Sequence, residues 1–160
     1  MTTDEFFATG LTHYGTAVTT VEDFKDAAFK RLERVVADHS WNRLVLAADW
    51  RSTCAHYQKV TDVYVSIGVA CQFDGAACQL ELGLWWGRDN APGVELYVGL
   101  QGDATTRWRT SMKPQRPGTT LDVGGTAYLV RPVGAAAFDA DATAILDERE
   151  EAARTAKGGA

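Results

Sequence analysis

A carboxylate and a guanidinium in the centre of the chain carry the chemistry that this sequence most directly suggests. Glu81 stands among glycine and aromatic residues, and Arg107 follows it by two predicted strands. A carboxylate can move protons or accept hydrogen bonds, and a guanidinium can orient an anionic group. Glycine in a strand often marks the close approach of a ligand. With Tyr97 and Tyr64, these residues predict a small-molecule-binding or hydrolytic cup.

The same region also predicts a surface that binds another protein chain. Tryptophan, tyrosine and arginine are the residue types enriched at interface hot spots. The predicted contact patch consists of Trp85, Tyr97, Arg107, Arg109 and Glu95. No catalytic signature accompanies the patch, so we expect protein binding without catalysis and keep the cup as the alternative.

Other constellations that could do chemistry are weaker. Cys54 and His56 are two residues apart and would share a face of a strand, which leaves open a cysteine–histidine hydrolase. The three cysteines show no CxxC spacing, and the HExxH, GxGxxG and GxxxxGK[ST] patterns are absent. We therefore expect neither a metal site nor a cofactor.

The elements that would position these residues begin with a β-hairpin. Apolar residues alternate from Val63 to Phe73, and Asp74-Gly75 then gives the strongest short hairpin signal. A two-residue turn there predicts a register in which partner numbers sum to 149, so that Cys71 faces Cys78. The wide spacing of a hydrogen-bonded pair predicts core thiols at this position, without a disulfide.

The predicted sheet continues through two further strands. We expect Trp86 to face Val94 and a fourth strand at residues 105–113 to place Trp108 opposite Val98, because the alternative loop length would bury Arg107. The rows predicted for the opposite face are Tyr64, Trp85 and Glu95; Ser66, Gly83, Tyr97 and Arg109; Gly68, Glu81, Gly99 and Arg107; and Ala70, Gln79 and Gln101.

Helical patterns flank this sheet. Apolar residues at spacings of three and four predict a helix over about 20–38, preceded by a short turn and an extended stretch in residues 1–18. Residues 41–50 are predicted as a strand and 119–131 as another, and Asp139 as N-cap predicts a helix over about 139–156. The fold class is therefore α+β: one domain over 1–160, with an antiparallel meander of five to six strands, an N-terminal helix on one face, a C-terminal helix and a tail frayed from about 156.

Composition narrows the class of function. The 160 residues hold 16 Lys and Arg against 21 Asp and Glu, which gives a net charge of −5 and disfavours nucleic acid as a partner. No signal peptide or membrane segment is expected, and the odd number of cysteines favours a reducing cytoplasm, in a bacterium by composition. The sequence thus predicts a small acidic cytoplasmic binding protein: an immunity- or antitoxin-like inhibitor, or an adaptor or chaperone subunit of a complex. A homodimer through the 41–50 edge is a further expectation.

Overall fold

The computed structural model describes residues 2–59, 64–86, 93–102, 120–123 and 126–158. It begins with one long helix, α1 (Thr3–Asp38), where the sequence predicted a turn and an extended stretch before residue 20. The prediction was wrong because a capping box at Thr2 and Glu5 starts the helix early, and Gly10 and Gly15 are tolerated inside it. Helix α1 ends at the C-cap His39.

An open antiparallel sheet follows, and a further helix ends the described chain. This combination confirms the predicted α+β class. In the part of the chain that the structure describes, the strands are β1 (Leu44–Leu46), β2 (Ala55–Lys59), β3 (Tyr64–Phe73), β4 (Ala76–Trp86), β5 (Val94–Gly102), β6 (Thr120–Val123) and β7 (Thr126–Pro132). Their order is β1-β3-β4-β5-β7-β6, and β2 also pairs with β3. The same described residues form two further helices, the short α2 (Trp50–Thr53) and α3 (Phe138–Gly158), the latter preceded by a 3-10 turn at Ala135–Ala137.

The registers predicted for the central strands are confirmed. Between β3 and β4, Cys71 pairs with Cys78 and Tyr64 with Trp85. Between β4 and β5, Trp86 pairs with Val94, and the same register continues along both strands. The positive φ angles of Asp74 (50°) and Gly75 (79°) fit the two-residue turn that sets this register.

The pairing predicted for residues 105–113 is wrong. Strand β7, not that segment, occupies the free edge of β5, where Leu129 faces Val98 and Tyr128 faces Gly99. Trp108 and the rest of residues 105–113 lie outside the described residues. The predicted strand was chosen to place an apolar residue opposite Val98 and to avoid burying a charge. Strand β7 does the same, because Leu129 is buried in the core at that position.

One face of the sheet carries the core. Apolar residues of β3, β4, β5 and β7 pack there against the second half of α1 and against α3, through residues such as Leu32, Val36, Ile145 and Leu146. Both helices therefore lie on the same face of the sheet. In the described part of the chain, no helix covers the opposite face. That second face, called the outer face below, holds the rows predicted to carry function.

The predicted strand at 41–50 is much shorter than expected. Only Leu44–Leu46 pair with β3, while Trp50 begins α2 and is buried. The chain entering β1 is held by Glu150 of α3, whose carboxylate accepts hydrogen bonds from the backbone N–H groups of Asn42, Arg43 (3.1 Å) and Leu44 (3.3 Å). Within residues 41–50, the strand available for edge pairing is therefore only three residues long. Among the described helices, none combines the length and apolar character needed to cross a membrane.

Candidate functional site

A cleft on the outer face is centred on Glu81, and we call it the Glu81 cleft. Strands β2, β3, β4, β5 and β7 each contribute to it, because alternation along every strand directs these side chains away from the core. Its volume is about 410 Å³, within the usual range for small-molecule sites. The residues that line it are Tyr57, Tyr64, Glu81, Trp85, Tyr97, Gln101 and Tyr128.

Glu81 is the hub of the cleft. Its side chain is buried, and each carboxylate oxygen accepts two hydrogen bonds. Oε1 accepts from Ser66 Oγ at 2.9 Å and from Tyr97 Oη at 3.1 Å. Oε2 accepts from Gln101 Nε2 at 2.7 Å and from Tyr128 Oη at 2.9 Å. A carboxylate offers about four lone-pair sites, so these four donors saturate it.

The glycines of the outer face lie beneath the tyrosines. A Cβ atom on Gly99 would stand 2.5 Å from Tyr128 Cδ1, and a Cβ on Gly83 would stand 2.5 Å from Tyr97 Cζ. Both glycines therefore allow an aromatic ring of the neighbouring strand to lie flat across the sheet toward Glu81. The expectation that these glycines mark the close approach of a ligand is therefore wrong, because they make room for the protein's own rings.

The two tyrosines that contact Glu81 are held as hydrogen-bond donors. Burial, followed by the charge of Glu81, raises the pKa of Tyr97 well above its usual value. The same two causes raise the pKa of Tyr128 to about 12. Both phenols thus stay protonated through the neutral range and donate to the carboxylate.

Aromatic rings form the walls of the cleft. Tyr97 makes edge-to-face contacts with Trp85 on one side and Tyr128 on the other, with centroid separations of 6.1 and 5.4 Å. Tyr57 is tied to the same face because its Oη accepts a hydrogen bond from Gln79 Nε2 at 2.8 Å. Glu81 is the only charged residue among those lining the cleft in the described part of the chain.

The ligand residues predicted from sequence are only partly brought together. Glu81, Tyr97 and Tyr64 line one cleft as expected. Arg107 lies outside the described residues, and the place beside Gly99 that the predicted register gave to it is occupied by Tyr128. The carboxylate–guanidinium pair is thus replaced by a carboxylate–phenol pair.

The predicted protein-binding patch is also divided. Trp85 and Glu95 are directly opposite each other on β4 and β5 and are half-buried. Tyr97 is only 5% exposed and belongs to the wall of the Glu81 cleft. Arg109, like Arg107, lies outside the described residues.

A second cluster brings Glu33 of α1 beside Cys54 and His56. Their potential ligand atoms lie within 4.8 Å of one another, and thiol, imidazole and carboxylate are all zinc ligands. His56 Nε2 already pairs with Glu33 Oε1 at 2.6 Å, and its ring stacks on Phe29. Burial, then the charge of Glu33, raises the pKa of Cys54 to about 11, so the thiol stays protonated at neutral pH and is a poor nucleophile.

The other cysteines lie where the hairpin register predicts. Cys71 and Cys78 are free thiols whose Sγ atoms are 3.0 Å apart. Their hydrogen bond, together with burial, raises the pKa of Cys71. They lie on the core side of the sheet and contribute nothing to the Glu81 cleft.

Sequence reasoning missed Tyr57, Gln101 and Tyr128 as site residues. Tyr57 lies between the strand predicted at 41–50 and the predicted hairpin, in residues that were assigned to no element. Gln101 was on the correct row without a role. Tyr128 was missed because its strand was not paired with β5. Gly99 could have indicated Tyr128, because a glycine in a central strand leaves room for a bulky side chain on the neighbouring strand.

Comparison of the chain with protein-family models, with curated proteins and with solved structures gave no match.

Proposed function

We propose that the Glu81 cleft binds a small organic cation, such as a methylated amine. The observation that supports this proposal is a buried carboxylate enclosed by five aromatic rings, with no basic side chain among the described residues that line the cleft. Faces of tyrosine and tryptophan attract cations through the ring quadrupole, and quaternary ammonium groups are typical ligands of such aromatic cages. The sequence-based expectation of an anionic ligand depended on Arg107, whose predicted place Tyr128 occupies.

The carboxylate and the rings have different parts in this proposal. The four lone-pair sites of Glu81 are occupied, so the carboxylate fixes the tyrosines and supplies negative potential without contacting the ligand directly. The ligand contacts ring faces and phenol oxygens. A soft, poorly hydrated cation fits this arrangement better than a primary ammonium, which needs free acceptors to replace its water.

The proposal supports binding, not turnover. Ser66 carries the aliphatic hydroxyl that contacts the carboxylate, but it is fully buried and donates to Glu81. The hydrolytic form of the sequence-based alternative would need a nucleophile presented to the cleft. We therefore assign the cleft a role in recognition.

Isothermal titration calorimetry tests the proposal with a matched pair of probes. Choline carries a trimethylammonium group, and 3,3-dimethylbutan-1-ol has the same shape without the charge. We expect choline to bind at least tenfold more tightly, and the Trp85→Leu variant to lose about tenfold in affinity. Phe6→Leu, an exposed aromatic change on α1, is the control and should bind like the wild type. Equal affinity for the two probes would overturn the assignment.

We also propose protein binding as a second function, supported by Trp85 and Glu95 standing side by side and half-buried on the outer face. In this proposal the protein is a small inhibitor, adaptor or chaperone subunit in the cytoplasm of a bacterium. Native mass spectrometry of tagged protein from its own host should show a stoichiometric second chain. Glu95→Ala should weaken that complex and leave choline binding unchanged, because Glu95 is not among the residues that line the cleft.

A further inference from the structure

The first half of α1 presents large apolar side chains to solvent. Every residue from Thr2 to Phe24 is exposed, in a helix that contacts the rest of the described chain only through its second half. Five of the exposed side chains, between 41% and 72% accessible, fall on one line along the helix. They are Phe7, Leu11, Tyr14, Val18 and Val21, and we call them the N-terminal stripe.

The N-terminal stripe follows a seven-residue repeat. Its spacings alternate between four and three residues, and the same series continues through Ala28, Leu32 and Val35, which are buried in the core. Lys25 is the one polar interruption. Such a repeat is the signature of a helix that packs lengthwise against another helix. In the second half of α1 the residues of this series pack against the sheet, and in the first half they are exposed to solvent.

The remaining surface of this helical segment supports the same interpretation. Positions beside the stripe hold only small residues over two turns: Ala8, Gly10, Gly15 and Ala17. A Cβ atom at either glycine would meet open space, so these glycines leave room for a second helix to approach. The opposite face is rich in threonine, and hydroxyls such as that of Thr12 donate to the carbonyl four residues earlier.

Charge along α1 indicates the direction of pairing. Residues 2–24 contain four acidic side chains and no lysine or arginine, whereas residues 25–34 contain Lys25, Lys30, Arg31 and Arg34 against two acids. An antiparallel pair of these helices with the axis near Val18 places Asp4 and Glu5 of each copy beside the basic segment of the other. The absence of cationic side chains from the exposed half disfavours an anionic membrane surface as the partner.

A groove at the base of the exposed half completes the surface. It has a volume of about 550 Å³ and lies between α1, the end of the sheet and the start of α3. Its lining is mainly apolar and includes Phe24, Leu84, Trp86, Val94 and Phe138. With a twofold axis crossing the helices near Val18, residues thirteen positions on either side of the axis would face each other. Glu5 of one copy would then lie level with Arg31 of the other, a side chain that also pairs with Asp139 at 2.6 Å.

We propose that two copies of this chain pair through their N-terminal stripes in an antiparallel arrangement, with the first turns of each helix at the other copy's apolar groove. This interface is separate from the β1 edge considered from sequence, which is three residues long. It is also separate from the Glu81 cleft, so the dimer can be tested independently of ligand binding.

Sedimentation equilibrium of the full chain tests the pairing. The wild type should have about twice the chain mass of 17.4 kDa, and the double variant Leu11→Glu, Val18→Glu should have the mass of one chain. The matched control is Thr12→Glu, Thr19→Glu, which adds the same charges one residue further along and should leave the dimer intact. Circular dichroism verifies that each variant remains folded. A wild type that is monomeric up to high micromolar concentration would overturn the proposal.

Cysteine cross-linking in a Cys54→Ser background tests the direction. In an antiparallel pair, Val18→Cys lies near the twofold axis and should cross-link on oxidation, whereas Phe7→Cys should not. Cross-linking of Phe7→Cys as efficiently as Val18→Cys would show parallel helices and contradict the arrangement. Stripe-dependent binding to anionic vesicles by a monomeric chain would also overturn the proposal, because a lipid surface would then be the partner.

Discussion

Replacing Glu81 with glutamine probes the hub of the outer face most sharply. The change removes one charge, keeps the shape and leaves one amide oxygen in place of two carboxylate oxygens. Ser66 is fully buried and Tyr97 is 5% exposed, so water cannot replace the lost acceptor for these two donors. The variant therefore reports what the carboxylate contributes to the sheet.

The expected loss follows from the four hydrogen bonds that Glu81 accepts. Bonds to a charged group contribute about 1.5–3 kcal/mol, and neutral ones about 0.5–1.5 kcal/mol. When the amide nitrogen takes the place of Oε1, the hydroxyls of Ser66 and Tyr97 can reverse and accept from its N–H groups, so all four bonds become neutral. At about 1 kcal/mol each this change costs about 4 kcal/mol, and the smaller desolvation cost of a buried neutral group offsets part of it. We expect Glu81→Gln to lower the free energy of unfolding by about 2–3 kcal/mol, or about 4–12 °C in Tm. Glu81→Ala should cost more, because it leaves all four donors without an acceptor.

Urea denaturation followed by circular dichroism is the assay. The control is Glu22→Gln, because Glu22 makes an exposed ion pair with Lys25 at 2.9 Å. A surface pair of this kind is worth well under about 1 kcal/mol, so the control should match the wild type closely. Glu81→Gln with wild-type stability would refute the role of the carboxylate as the hub of the cleft.

Three further predictions concern neighbouring groups. Gly99→Ala should displace the ring of Tyr128 and weaken choline binding at least fivefold in calorimetry, since its Cβ would stand 2.5 Å from that ring; unchanged affinity would separate Tyr128 from the site. The pKa of Tyr128 is raised to about 12 in the fold, so its contribution to stability is present below its unfolded value of about 10 and is lost as pH rises toward 12. Absorbance of tyrosinate should therefore show Tyr97 and Tyr128 ionising well above the usual phenol pKa of about 10, and ionisation of both near pH 10 would contradict this. Burial opposes ionisation of Glu150, but the nearby ring of His39 (Nε2–Oε2 3.7 Å) and the hydrogen bonds from the 42–44 backbone lower its pKa. Its contribution to stability is therefore present above about pH 4.3 and is lost as pH falls through the folded pKa. Glu150→Gln should cost about 2 kcal/mol near neutral pH, and less in acid, in denaturant titrations at several pH values; a cost that does not depend on pH would contradict the assignment.

The sequence predicted the central hairpin because its determinants are local. A two-residue turn at Asp74-Gly75 and strict alternation leave one register that keeps Val69, Leu80 and Leu100 in the core. The outer rows then follow from alternation without further information. Glu81, Tyr64 and Tyr97 could be grouped from the chain alone for this reason.

The edge of β5 was predicted wrongly because its partner is not local. Residues 105–113 and residues 126–132 can both form a strand, and turn length alone favours the nearer segment. The choice depends on long-range packing, in which Leu129 fills the core position opposite Val98. The same error changed the predicted site, because the phenol of Tyr128 lies beside Gly99 where the guanidinium of Arg107 was expected.

The most direct test of the central claim is an NMR experiment with a methyl-labelled choline probe. If the Glu81 cleft binds organic cations, nuclear Overhauser contacts should join the N-methyl protons to the rings of Tyr64, Trp85, Tyr97 and Tyr128. The contacts should vanish in Trp85→Leu and persist in Phe6→Leu. Contacts to rings outside the cleft, or equal contacts from the uncharged isostere at equal concentration, would contradict the account.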